Sequence, residues 1–329
     1  MSKPKVYVHR LGSWYDLYMD DNNKALLGSF AEVVDEGGRE EPMGEDELCE
    51  RMRGARAILS LNGVGANEIT PSVLKRVGTV ELISISHWWE QFTDTAAEAG
   101  VTLIEGSNGN TAAVAEWTLA CALMGVRKIM RFNNLLKAGS PWAEPRNSVG
   151  MLSETTVGLI GLGRVGKYVA RIMKMLKADV IAFDKMMGEE EAAGMGIRLC
   201  PLDELLATAD VVSVHLPVLP STRGMLGAEH FALIKDGAVF INSARSAVYD
   251  EKALIAELQK ERFEAYVDVY DIEPIPAGHP FRSMPNVVIT PHIAGTNAAM
   301  GKRCAREAIE SIRDYFDGKG ATDKKFMFP

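Results

Sequence analysis

The chain has 329 residues, a length that suits two ordinary domains better than one small module. Its 47% hydrophobic, 24% charged and 7% aromatic residues are those of a folded globular protein, which excludes disordered and fibrous classes. A formal net charge of −8 argues against a nucleic-acid partner, because nothing in it would neutralise many phosphates.

The N-terminal MSKPKVYVHR has lysines but no apolar stretch behind them, so it reads as a first strand and not as a signal peptide. KVYVHR, ARAILSL, VELISIS and VTLIEG then alternate with polar helical stretches, a βα repeat over the first hundred residues. Within it, LSLNGVGANEI places Gly63 and Gly65 beside Asn62 and Val64, and the glycines expose backbone N–H groups that could bind a carboxylate. One long helix is predicted over about 110–138. Asn110 and Thr111 are its cap candidates, and Val114, Trp117, Ala120, Leu123 and Met124 lie on one side. The apolar run TLACALMGV at 118–126 is far shorter than the roughly 18 apolar residues of a membrane span. Residues 140–153 are rich in turn formers and read as a surface excursion.

From Thr156 the strands become continuous β-branched runs: VGLIGL, DVIAFD, DVVSVHL, AVFINSA, EAYVDVY and NVVIT. Such runs suit a parallel sheet covered on both faces, the doubly wound α/β class. A last helical pattern covers about Asn297 to Phe316, and pattern alone does not assign it to either domain. Cys49, Cys121, Cys200 and Cys304 lie far apart with no zinc-like spacing, which fits buried thiols in the cytoplasm and no metal site.

In VGLIGLGRVG, Gly161, Gly163 and Gly166 have the G-x-G-x-x-G spacing between an apolar strand and the helix KYVARIMKML. The first glycine permits the tight turn, the second lets the backbone approach a pyrophosphate, and the third lets helix and strand pack closely. The helix N-terminus offers its N–H groups and dipole to the anion. A bare glycine string is a weak signal, but a second strand ends at Asp184, where the acid of this fingerprint meets the ribose hydroxyls. An anion there repels a 2′-phosphate, so NAD is expected over NADP.

Further on, Arg245 follows VFINSA, Glu273 lies in DVYDIEP and His292 in VVITPHIAG, each at or beside a strand end. With SNGNTAAVAEWTLACAL, HLPVLPSTRGMLG and the glycine motif, these segments resemble the D-isomer-specific 2-hydroxyacid dehydrogenase family over most of the chain. The resemblance implies that Arg245 grips a substrate carboxylate, His292 exchanges the proton and Glu273 pairs with His292. That agrees with the residue types: reduction of a 2-keto acid needs a proton at oxygen, which an imidazole held by a carboxylate can give. It implies a cofactor set of Gly161, Gly163, Arg164, Val165, Gly166, Asp184, His215, Leu216, Pro217, Thr222, Ser243, Ala244, Asp268 and Gly295, with Asp268 near the nicotinamide. The substrate set is Asn62, Gly63, Val64, Gly65, Trp88 and Trp89. It also implies a substrate-binding domain of residues 1–105 plus 296–329, an NAD-binding Rossmann domain of 106–295, an active site in the cleft between them, and a homodimer face on the helix near 110–138.

The sequence departs from the family at two places. Its usual glycine-rich G-x-G-x-D stretch reads SISHWWEQFTD here, so that bulky Trp88 and Trp89 roof the pocket or pack between domains, and Ser246 replaces the glycine after the arginine. The 62–65 loop holds no arginine, the usual phosphate clamp, which argues for a small unphosphorylated acid such as glyoxylate or hydroxypyruvate over 3-phosphoglycerate. Formate dehydrogenases of the family pair the histidine with glutamine, so Glu273 disfavours that activity. The alternatives are an NAD-sensing, corepressor-like binding module without turnover, a 3-phosphoglycerate dehydrogenase of the same family, and a hydrolase or isomerase that keeps its dinucleotide bound.

Overall fold

A strand covered on both faces must be apolar along its whole length, and Ala57–Ser60 and Leu82–Ile85 are buried at all four positions. They lie in a computed structural model that describes residues 3–86, 90–105, 107–140, 142, 149–297, 299–319 and 327–328. The chain divides into two compact units, one of residues 1–110 with 297–329 and one of 111–296.

In the first unit, parallel strands β1 (Lys5–Val8), β2 (Glu32–Asp35), β3 (Ala57–Ser60), β4 (Leu82–Ile85) and β5 (Thr102–Glu105) run in the order β5-β4-β3-β1-β2. Met327–Phe328 adds an antiparallel edge to β5. The order reverses between β1 and β3, so the 61–65 loop leaves the sheet at its switch point. Apolar clusters fill both faces, one around Val6, Leu59 and Ile309 and the other around Tyr7, Ile58 and Phe92. The predicted last helix is Met300–Phe316 and belongs to this unit. Gly301, Cys304, Ala305, Ala308, Ile309 and Ile312 form its buried stripe, and the Ser84 hydroxyl of β4 donates to the Ala308 carbonyl at 2.9 Å.

The second unit holds β6 (Thr156–Ile160), β7 (Asp179–Phe183), β8 (Arg198–Leu199), β9 (Val211–Val214), β10 (Val239–Asn242), β11 (Glu264–Val267) and β12 (Val287–Ile289). All are parallel, in the order β12-β11-β10-β9-β6-β7-β8, and the order reverses between β6 and β9. The doubly wound expectation is met in both units. The single helix expected near 110–138 is corrected: it is two, Thr111–Val126 and Ile129–Lys137, broken where Lys128 turns left-handed at φ 53°. The Lys128 ammonium meets Glu264 at 3.2 Å and the Gly237 carbonyl at 3.1 Å, contacts that hold the break.

His9, just past β1, and His215, just past β9, are buried, and burial pushes each imidazole from 6.5 down to about 4. Both are therefore neutral in the folded chain, whereas the unfolded chain takes up protons near 6.5. Stability is full above that pH and is lost as the pH falls toward 4. By pH 5 the loss is about 2 kcal/mol for each histidine. Urea unfolding at pH 7 and pH 5 checks this: the fall in stability shrinks in His215→Asn, and equal falls in the two proteins would refute the assignment.

Candidate functional site

Because every strand of the second unit runs the same way, the segments after them emerge at one edge. The glycine turn follows β6, Asp184 follows β7, His215 follows β9, Arg245 follows β10, Glu273 lies beyond β11 and His292 beyond β12.

At the cofactor end the glycines act by what they lack. Gly161 has φ 101°, and a Cβ there would stand 2.7 Å from the His215 carbonyl oxygen. At Gly166 a Cβ would meet the Gly161 carbonyl oxygen at 2.1 Å. A Cβ at Gly163 would meet nothing within 4 Å among the described residues, so their packing does not need that glycine; an approaching diphosphate would. Gly163 also starts the Arg164–Met175 helix with no side-chain cap, leaving Val165 and Gly166 in an uncapped first turn.

Asp184 has a second duty that the spacing does not reveal. One carboxylate oxygen accepts from the Leu162 N–H of the glycine turn at 2.6 Å, and the other accepts from Met186 and Met187 at 2.7 and 2.9 Å. It thus pins the turn while keeping acceptor capacity, since each oxygen has two lone pairs. The His215–Leu216–Pro217 segment lies against Gly161, with the His215 ring bonded to Ser213 at 3.0 Å. Thr222 uses its hydroxyl on the Pro217 carbonyl at 2.6 Å and shapes that loop. Past β10, Ser243 has a buried hydroxyl oxygen with no partner among the described residues, beside half-buried Ala244. The open backbone at Gly163, the uncapped helix and this orphaned hydroxyl fit a dinucleotide.

At the other end the Glu273 carboxylate meets His292 Nδ1 at 2.7 Å. A carboxylate only accepts, so Nδ1 carries the hydrogen and Nε2 is left to exchange a proton. The second Glu273 oxygen accepts from the Tyr270 N–H at 3.0 Å. His292 is one of four non-glycine residues with positive φ among the described residues, at 53°, and buried Asp268 holds its loop there. Asp268 accepts from the Thr290 hydroxyl, from Ile293 N–H at 2.8 Å and from Ala294 N–H at 2.7 Å, next to Gly295. Asn242 shapes the turn before Arg245: it accepts from Ala244 N–H at 2.9 Å and donates to the Arg245 carbonyl at 3.1 Å. Exposed Arg245 donates to the Ala244 carbonyl at 2.7 Å. Tyr270, Thr290 and Asn242 were not read from the sequence, although Asn242 ends an apolar strand, where a short polar side chain folds back on the backbone.

In the first unit, Gly63 and Gly65 both have positive φ, at 68° and 72°, in the turn with Asn62 and exposed Val64. Arg10 and His9 come beneath Gly65 from the end of β1, and the Arg10 charge is met by Glu68 at 2.5 Å. Trp88 and Trp89 lie outside the described residues.

Comparison with known proteins extends these observations. The family described as "D-isomer specific 2-hydroxyacid dehydrogenase, NAD binding domain" matches residues 119–294, more than half of the chain. A D-3-phosphoglycerate dehydrogenase of Archaeoglobus fulgidus is 37% identical over 205 residues, covering 62% of this chain and 38% of that protein. A glyoxylate reductase of Thermofilum pendens is 28% identical over 320 residues, covering 95% of this chain and 91% of the relative. The chain spans about half the length, or less, of the phosphoglycerate dehydrogenases it matches. In fold it is similar to the D-mandelate dehydrogenase of Rhodotorula graminis, with a TM-score of 0.80 at 22% identity over 95% of this chain and 94% of that one.

Proposed function

We propose, since this chain belongs to the D-isomer specific 2-hydroxyacid dehydrogenases and residues 119–294 are its NAD-binding domain, that it interconverts a small D-2-hydroxy acid and its 2-keto acid. The observation that carries this reading is the His292–Glu273 pair, on the same sheet edge as the glycine turn. Bound NADH supplies the hydride that the acid's carbon 2 needs. His292 Nε2 gives the proton to the carbonyl oxygen, and Glu273 stabilises the imidazolium and fixes its orientation. A donor for the substrate carboxylate is the Arg245 guanidinium, and the backbone N–H groups of the 62–65 loop form a carboxylate-binding turn in the first unit.

We assign the substrate to the unphosphorylated acids. No arginine stands in the 62–65 loop, and Arg10, which comes beneath Gly65, is already neutralised by Glu68. Oxidation of NADH with glyoxylate, hydroxypyruvate and phosphohydroxypyruvate tests this. We expect turnover of the first two, with kcat/KM at least tenfold above the third. A preference for the phosphorylated acid would overturn the substrate class, and tight NADH binding with no turnover on any acid would favour an NAD-sensing module.

We also place this protein in the cytoplasm as a homodimer. Cys49, Cys121, Cys200 and Cys304 are all free thiols. The Ile129–Lys137 helix keeps Ile129 and Leu136 about half exposed, an apolar face suited to a second copy.

A further inference from the structure

The turn that carries Glu273 is tied down by a second glutamate and a second histidine. Glu251 opens the Glu251–Leu258 helix and is buried, although a carboxylate leaves water only at a cost unless it is well bonded. One of its oxygens accepts from the Asp271 N–H at 3.2 Å, and the other meets His279 Nε2 at 3.1 Å. His279 Nδ1 accepts from the Phe281 N–H at 3.3 Å, so Nε2 carries the hydrogen that Glu251 receives. The His279 ring lies 4.8 Å from Phe281 and 6.3 Å from Tyr270, whose own N–H holds Glu273. Asp271 and His279 stand on either side of Glu273 in sequence, so a single buried carboxylate holds both ends of its turn.

We propose that Glu251 and His279 are positioning residues for the reaction: together they clamp the 271–279 turn so that Glu273 meets His292 Nδ1 and selects its Nδ1–H form. The inference rests on the reductase reading above for its consequence in turnover, but not for its geometry. Among the described residues, the titratable groups about the clamp include Tyr249 and Tyr270, both kept protonated by burial, with Asp271, Asp268, Glu273 and Arg282 facing them. Arg282 donates to the Ile275 and Pro276 carbonyls and so braces the same turn.

The amide of Glu251→Gln can still accept from Asp271, but its NH2 then faces the hydrogen on His279 Nε2. His279 cannot change form to accept it without setting its own Nδ1–H against the Phe281 N–H. In His279→Gln the amide NH2 replaces the imidazole donor, whereas His279→Ala removes it. The test is the 15N shift pair of His292 in its neutral form, read through its carbon-bound protons without substrate and assigned by its loss in His292→Gln. We expect the Nδ1–H form in the wild type and in His279→Gln, and a shift toward the Nε2–H form in Glu251→Gln and His279→Ala. We also expect kcat to fall about tenfold or more in those two, with KM for NADH unchanged. An unchanged His292 form in folded Glu251→Gln or His279→Ala, whatever the loss of Tm, would overturn the clamp. Should Glu251→Gln not fold, the comparison of His279→Ala with His279→Gln decides. Because the spectrum needs no turnover, a chain that reduced no 2-keto acid would sink the reductase reading and leave this measurement standing.

Discussion

His292→Gln lowers kcat for 2-keto acid reduction by about 100- to 10,000-fold, the range lost when a positioned acid–base group is removed. The effect is large because the neighbouring carboxylates described at this edge do not replace the ring: Asp268 is occupied by the Thr290 hydroxyl and two backbone N–H groups, and Glu273 is the partner of the missing ring. NADH binding, followed by its fluorescence, stays within about threefold, since the glycine turn, Asp184 and the His215–Pro217 segment proposed to hold the dinucleotide follow β6, β7 and β9. A variant that kept more than a tenth of the wild-type kcat would show that the proton comes from elsewhere.

The second large effect is expected at the glycine turn, where two substitutions separate folding from binding. Gly166→Ala puts a methyl 2.1 Å from the Gly161 carbonyl oxygen, a backbone atom that cannot swing aside. Helix and strand must part, at a cost of about 1–3 kcal/mol or more, so thermal stability and NADH affinity fall together. Gly163→Ala meets nothing within 4 Å among the described residues, so it should unfold at the wild-type temperature and lose NADH affinity at least tenfold. Equal behaviour of the two variants would contradict the separate tasks given to these glycines.

The contrast between Gly163 and Gly166 also marks how far the sequence can be read. The spacing locates both glycines, but only the packing around them tells that Gly166 is required by the fold. The apolar runs mark β1, β3 to β7 and β9 to β12 because burial on both faces leaves a continuous hydrophobic signature. β2 escapes notice because Glu32 and Asp35 at its ends are exposed, and β8 because it has two residues. The break at Lys128 is invisible to helical periodicity, since it is held by an ion pair with Glu264, far away in sequence. In the site, Arg245, Glu273 and His292 were legible as charged residues at strand ends. What holds them was not: Asp268, Tyr270, Asn242 and Glu251 act through backbone N–H and carbonyl groups, which leave no residue pattern. Asp184 was legible as the acid that ends a second strand, and its grip on Leu162 was not.

The reaction itself is tested most directly by isotope and chirality. With glyoxylate or hydroxypyruvate and NADH deuterated at the transferring position of C4, one deuterium should appear at C2 of the 2-hydroxy acid, and hydroxypyruvate should give the D enantiomer. The oxygen-bound proton should come from water through His292, so the rate should fall in His292→Gln while the deuterium content of whatever product forms is unchanged. A product without deuterium at C2, or the L enantiomer, would contradict direct hydride transfer by a D-specific site.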